Sequence, residues 1–170
     1  MKPVHEEISE LLSTPDEDRF VSPVAARKKA MDFLARREYG RTELVRKLAE
    51  KGFEYRVADD TVETLADEGL QSDQRFAESF VQSRISQGKG PVRIRLDLGQ
   101  RGIDAAAIEI ALEEAHPDWY RLACEIREKK FGCALPVDFK DKARQMRFLQ
   151  YRGFEQDHIQ SAVGTATNNA

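Results

Sequence analysis

Two cysteines, three histidines and one tryptophan are the whole supply of those residues in a chain of 170. Cys124 and Cys133 fit neither a disulfide framework nor a CxxC metal site. Both are read as small apolar residues, buried or half-buried. His5, His116 and His158 lie far apart without ligand-spaced neighbours, so each is expected at the surface or in a helix cap, and no metal is expected. GxSxG, HExxH and a GxxxxGK run closed by Ser or Thr are all missing. Gly88-Lys89-Gly90-Pro91 is rich in glycine, but no strand pattern precedes it and no hydroxyl residue follows the lysine, which excludes a phosphate loop. No apolar run is long enough to cross a bilayer. Residues 1–13 carry Glu6, Glu7 and Glu10 and no apolar stretch, so a secretory signal is not expected. Acid pairs such as Asp59-Asp60 and Glu113-Glu114 fall in acidic helical segments, where solvation explains them. The expectation is a cytoplasmic protein that is not an enzyme, with no catalytic residue, no cofactor and no membrane partner.

What is present is a pattern that returns three times. Lys51-Gly52-Phe53, Arg101-Gly102-Ile103 and Arg152-Gly153-Phe154 each join a basic residue, a glycine and a bulky apolar residue. Each follows a leucine four residues before the glycine: Leu48, Leu98 and Leu149. A period near 50 residues marks a tandem array. An array without a pocket motif points to binding an extended partner.

Apolar spacing fills in the helices. Ser22-Pro23 predicts a cap followed by proline at the first helical position, with Ala26, Ala30, Phe33 and Leu34 inward and Tyr39-Gly40 as the stop. Thr42 is expected to cap the next helix, which buries Leu44, Val45 and Leu48 before Gly52, and a third buries Val57, Ala58, Val62 and Leu65. The second repeat restarts at Ser72-Asp73 with Phe76, Ala77, Phe80, Val81 and Ile85, resumes at Pro91 with Ile94 and Leu98, and closes with a helix capped by Asp104. The third starts at Pro117-Asp118, has a loop through Phe131–Pro136, a helix from Asp138 to Arg152, and a last helix holding Ile159, Ala162 and Val163. The fold class expected is all-α: three tandem three-helix repeats of helix-turn-helix-like units, stacked into an elongated, curved molecule. The domains expected are residues 25–70, 71–116 and 117–164. Residues 1–24 would be an extension or linker, with a short amphipathic helix at Val4, Ile8, Leu11 and Leu12 broken by turn chemistry at Thr14–Asp18. Residues 165–170 would be a fraying tail.

The net charge of −3 hides an alternation along the chain. Residues 27–51 carry +5, 54–78 carry −6, 84–101 carry +4, 104–118 carry −5 and 121–152 carry +5. Basic charge therefore gathers on the first two helices of the first and third repeats, late in the first helix and along the second in the second repeat, and acid on the third helix each time. An anion responds to the local field rather than to the sum. On the helix from Asp138 to Arg152, Lys140, Arg144, Arg147 and Tyr151 form one stripe suited to phosphate with a base or protein surface beside it. The equivalent helix in the second repeat presents Arg93, flanked by Arg95 and Arg101, and turns Leu96 outward as a possible partner contact.

Arg75–Val81, Gly88–Arg95 and Gln100–Ile103 together resemble the central motif of the bacterial RecX family. Arg36–Leu44 with Lys47-Leu48 and Gly52-Phe53 is similar to the family's first repeat, and Lys142–Gln145, Arg147–Leu149 and Arg152–Phe154 to its last. The resemblance spans residues 25–163. It implies a modulator, mainly an inhibitor, of the RecA recombinase that lies in the groove of the RecA–DNA filament and also binds DNA. It further implies suppression of ATP hydrolysis, strand exchange and the co-protease function behind the SOS response. The partners expected are the RecA filament and DNA, single-stranded first and double-stranded second, met by a monomer. The contact candidates are Arg36, Arg37, Arg41, Arg84, Lys89, Arg93, Arg95, Arg101, Lys140, Arg144, Arg147, Tyr151 and Arg152. Two other readings compete. A helix-turn-helix regulator would need more base-reading side chains than Gln145 beside Arg144. A generic helical scaffold would not need basic stripes.

Overall fold

A computed structural model describes residues 15–164 and is helical throughout, with no strand among them. Ten helices follow in order: α1 (Pro15–Phe20), α2 (Pro23–Leu34), α3 (Arg41–Glu50), α4 (Tyr55–Asp67), α5 (Asp73–Ser86), α6 (Pro91–Gln100), α7 (Ala105–Glu114), α8 (Trp119–Phe131), α9 (Phe139–Arg152) and α10 (Gln156–Val163). The chain divides into two compact units, Met1–Phe76 and Ala77–Ala170, with the boundary inside α5. The expected helix at Val4–Leu12 and the expected fraying of residues 165–170 lie outside the described residues.

The three glycine triplets build one motif three times. Gly52, Gly102 and Gly153 hold φ of +101°, +79° and +92°, which an L side chain rarely adopts. In each, the apolar residue after glycine donates its N–H to the leucine carbonyl at 3.2 Å: Phe53 to Leu48, Ile103 to Leu98 and Phe154 to Leu149. The glycine N–H meets the carbonyl three residues back, completing a Schellman closure of the second helix. The three leucines are fully buried, and the following apolar residue is nearly so. Each triplet thus ends a helix and turns the chain so that one apolar side chain returns to the core beneath it.

In the first unit α2, α3 and α4 close around Ala26, Ala30, Phe33, Leu44, Leu48, Phe53, Val62 and Leu65. Ser22 caps α2 by accepting the Ala25 N–H at 3.2 Å, as its Ser-Pro signature predicts. Gly40, not Thr42, is the cap of α3, and α2 already ends at Leu34. The reason is Gln71, whose Nε2 donates to the Tyr39 carbonyl at 3.0 Å, and Asp73, which accepts the Arg41 N–H at 2.7 Å. A side chain more than thirty residues away does the capping work assigned to Thr42. Pro15–Asp18 is not a simple turn either: Pro15 opens α1, and the ring of Phe20 stands edge-on to Phe53 at 5.9 Å between centroids.

In the second unit, Asp104, Asp118 and Asp138 cap α7, α8 and α9 through their side chains. Ala123, Ile126, Leu149, Phe154, Ile159, Ala162 and Val163 form the core of the last repeat. Cys124 is half-buried as expected, but Cys133 is exposed, because the segment after α8 leaves the core. His158 does cap a helix, accepting the Glu155 N–H at Nδ1 (3.2 Å), yet it is buried. His116 is exposed, and His5 lies outside the described residues.

Candidate functional site

The basic side chains separate into two groups by what they touch. Arg37 donates to Glu43 at 2.7 Å and its guanidinium lies 3.6 Å from the Tyr39 ring centroid. Arg41 reaches Asp59 at 3.4 Å. Arg93 pairs with Asp97 one turn along α6 at 3.0 Å, and Arg144 with Asp141 at 2.8 Å. Arg95 bridges Glu109 at 2.7 Å and Glu155 at 3.0 Å, joining α6 to α7 and to the cap of α10. Its hydrogen bond holds the Glu109 carboxyl below the ordinary range. A guanidinium already facing a carboxylate offers less local charge to phosphate.

Arg36, Arg84, Lys89, Arg101, Lys140, Arg147 and Arg152 have no ion pair among the described residues. Three of these, Arg84, Arg101 and Arg152, converge in the second unit, with the Lys89 backbone tied to the same place. Arg84 donates to the side-chain oxygen of Gln87, and Arg152 to its backbone carbonyl, both at 3.0 Å. Lys89 donates its N–H to the Arg84 carbonyl at 3.0 Å. Arg84 and Arg101 both pack on the Phe80 ring, at 4.3 and 5.2 Å from its centroid, and Arg152 lies 5.4 Å from that of Phe148. A ring positions a cation without cancelling its charge. The Arg101 Nε is buried and has no hydrogen-bond partner among the described residues.

Backbone interlocking puts these cations together. The Arg152 and Gly153 carbonyls at the end of α9 accept the N–H groups of Gly90 and Val92 at the start of α6, each at 2.9 Å. A Cβ on Gly90 would run into the Gly153 carbonyl, and one on Gly88 into the Ile126 side chain. The glycine-rich run that cannot be a phosphate loop is therefore the seat of one repeat on the next. Lys140, Arg147 and Tyr151 remain exposed along α9, Tyr151 at 77%. Arg36 is exposed in the turn after α2, in the other unit.

The first three-helix domain of RecX matches residues 26–65, the second matches 72–112 and the third 118–163. The chain belongs to the RecX family. It is 51% identical over 138 residues to a regulatory protein RecX of Pseudomonas savastanoi pv. phaseolicola, covering 81% of this chain and 89% of that one. To the regulatory protein RecX of Halorhodospira halophila it is 44% identical over 142 residues, covering 84% and 88%. A crystal structure of regulatory protein RecX shares its fold at a TM-score of 0.72 and 21% identity, covering 96% of this chain and 78% of that one. RecX from Lactobacillus salivarius does so at 0.69 and 23%, covering 83% and 94%. No helix among the described residues is long and apolar enough to cross a membrane.

Several residues around this cation cluster have little or no signal in the sequence. Gln87 receives two arginines, one on its side chain and one on its backbone carbonyl, and nothing in its sequence neighbourhood marks it. Phe80 was read only as core, although Arg84 four residues on was a visible sign of a ring–cation pair. Phe131 and Phe148 stand edge-on at 5.3 Å and carry Arg144 and Lys130 at 5.1 and 6.0 Å. No local signal joins side chains from separate helices. Glu155, Asp157 and His158 also crowd together, but each has an internal partner: Arg95 for Glu155, the Tyr120 hydroxyl for Asp157 at 2.6 Å, and the Glu155 N–H for His158.

Proposed function

We propose that the chain is a non-catalytic modulator, mainly an inhibitor, of a RecA recombinase, binding the groove of the RecA–DNA filament and touching its DNA. Its effect is to slow ATP hydrolysis, strand exchange and co-protease activity, and so to restrain recombination and the SOS response in the cytoplasm. Membership of a family whose relatives are named regulatory proteins supports the regulatory half of this reading. The observation that carries the DNA half is the cluster of Arg84, Arg101 and Arg152, three guanidinium groups held by a ring, an amide and a backbone carbonyl and without ion pairs among the described residues, with Lys89 beside them in the chain. Such a cluster suits a phosphate group, with exposed Lys140, Arg147 and Tyr151 on α9 as further contacts. The repeats, taken as residues 25–70, 71–116 and 117–164, act together as a monomer, each a binding module with no chemical step of its own.

The test is the DNA-dependent ATPase of RecA on single-stranded DNA with the chain titrated in, beside DNA binding by the chain alone. Inhibition is expected at or below one chain per RecA. Unchanged hydrolysis at stoichiometric ratios would remove the proposal. Retained DNA binding in that case would favour an independent DNA-binding role.

A further inference from the structure

The segment between α8 and α9 is built differently from every other loop among the described residues. Arg127 is 2% exposed, and it is spent on backbone. Its guanidinium donates to the carbonyls of Gly132, Cys133 and Ala134 at 3.3, 3.4 and 3.1 Å. Gln145 Oε1 is at 3.5 Å and Glu128, the one carboxylate paired with it, at 3.8 Å. A buried cation that binds three successive carbonyls fixes the root of a loop.

The tip of that fixed loop presents apolar side chains to solvent. Leu135 is 54% exposed, Val137 100% and Phe139 88%. Leu135 and Val137 lie in the irregular segment before α9 and Phe139 is the first residue of α9, so the three stand close along the chain as a short apolar row. The rim is basic. Lys129 and Lys130 end α8, and both are exposed. The local acids are engaged: Asp138 caps α9 by accepting the Asp141 N–H at 2.7 Å, and Asp141 binds Arg144 and Gln145.

We infer that Leu135, Val137 and Phe139 form the protein-gripping element of this chain, docking on an apolar surface of a partner protein that is bordered by acidic side chains. This rests on the filament reading above and divides its labour: the cation cluster meets DNA, and the loop meets protein. Charge complementarity selects the partner, because a lysine rim around an apolar centre favours an acidic rim around an apolar centre. Nucleic acid is the weaker fit, since Phe139 alone offers a π face and Leu135 and Val137 offer a base neither a π face nor a hydrogen-bonding group. The Arg127 anchor holds the row in place before binding and so reduces the ordering cost of association.

The test compares the full chain with Val137→Ser/Phe139→Ser and with Lys129→Glu/Lys130→Glu. Both probes are defined: a RecA filament on single-stranded DNA with a non-hydrolysable ATP analogue, and the bare oligonucleotide. The serine variant replaces only exposed side chains, and circular dichroism checks its fold. It should bind the filament at least tenfold more weakly and the oligonucleotide unchanged, and the glutamate variant should lose filament affinity in the same direction. Unchanged filament binding would overturn the inference, as would a parallel loss on bare DNA. Sedimentation showing that the serine variant loses only self-association would overturn it too. If the unaltered chain failed to bind the filament, the functional reading itself would fall, a result distinct from an unaffected loop variant.

Discussion

The carbonyl of Gly153 accepts the N–H of Val92 at 2.9 Å, so the C-terminal end of α9 caps the N-terminal end of α6. The two helices meet with opposite partial charges facing, the arrangement their dipoles favour. Gly90 makes this approach possible, since any Cβ there would occupy the space of the Gly153 carbonyl. Gly90 has φ −84° and ψ 169°, which alanine adopts freely. The need for glycine is therefore steric rather than conformational.

That distinction is measurable. Gly90→Ala should destabilise the chain by about 2 kcal/mol or more, because a backbone atom must move. Gly99→Ala, on the open side of α6 with nothing within 4 Å, should stabilise it by about 0.5–1 kcal/mol through helix propensity. Urea melts of the two variants supply both numbers. Equal, small effects would mean that α9 does not press on α6 in solution.

DNA binding should depend on which arginine is removed. Arg101→Gln and Arg84→Gln remove cations that have no carboxylate, and each should lower the slope of log K against log salt by about 1. Arg93→Gln removes a cation already facing Asp97 and should leave that slope nearly unchanged. The triple change of Lys140, Arg144 and Arg147 to Glu should weaken binding further while leaving helicity intact. Fluorescence anisotropy at four salt concentrations is enough. Identical slopes for Arg93→Gln and Arg101→Gln would remove the distinction between paired and unpaired cations.

The helices were legible in the chain because their signals are local. Ser22-Pro23, Asp104, Asp118 and the three glycine triplets each act within a few residues, and each does in the structure what its spacing predicts. Long-range capping was not legible: Asp73 and Gln71 displace Thr42 because their side chains come from thirty residues away. The same limit applies to the basic residues. Composition shows that Arg95 is basic, but only the fold brings Glu109 and Glu155 to it. Arg127 looks like one more cation of a basic block, and only packing reveals that it is buried.

Acid should loosen the joint between α6 and α7. The Arg95 hydrogen bond depresses the Glu109 pKa in the folded chain relative to its ordinary value. A depressed carboxylate contributes stability that is fully present above the ordinary carboxylate range and is lost as the pH falls through the lowered folded value. Both partners are over two-fifths exposed, so solvent and salt screen the effect and keep it small. Thermal melts from neutral pH down to the carboxylate range should show a steeper acid limb for the wild type than for Arg95→Gln. Superimposable limbs would mean that the bridge adds nothing.

Arg127→Met tests whether a buried cation organises the α8–α9 loop. Methionine keeps the apolar stem but removes the donors that serve Gly132, Cys133 and Ala134. Replacing a buried charge with an apolar side chain can be neutral or stabilising for the fold as a whole. The carbonyls losing a donor lie in an exposed segment, where water can replace it at a cost of about 1 kcal/mol each. The expected outcome is thus local: nearly unchanged global stability, with faster amide exchange and protease cleavage across residues 132–138. Loss of the whole fold would instead make Arg127 a core residue. An unaltered exchange pattern would show that the loop holds its shape without the guanidinium.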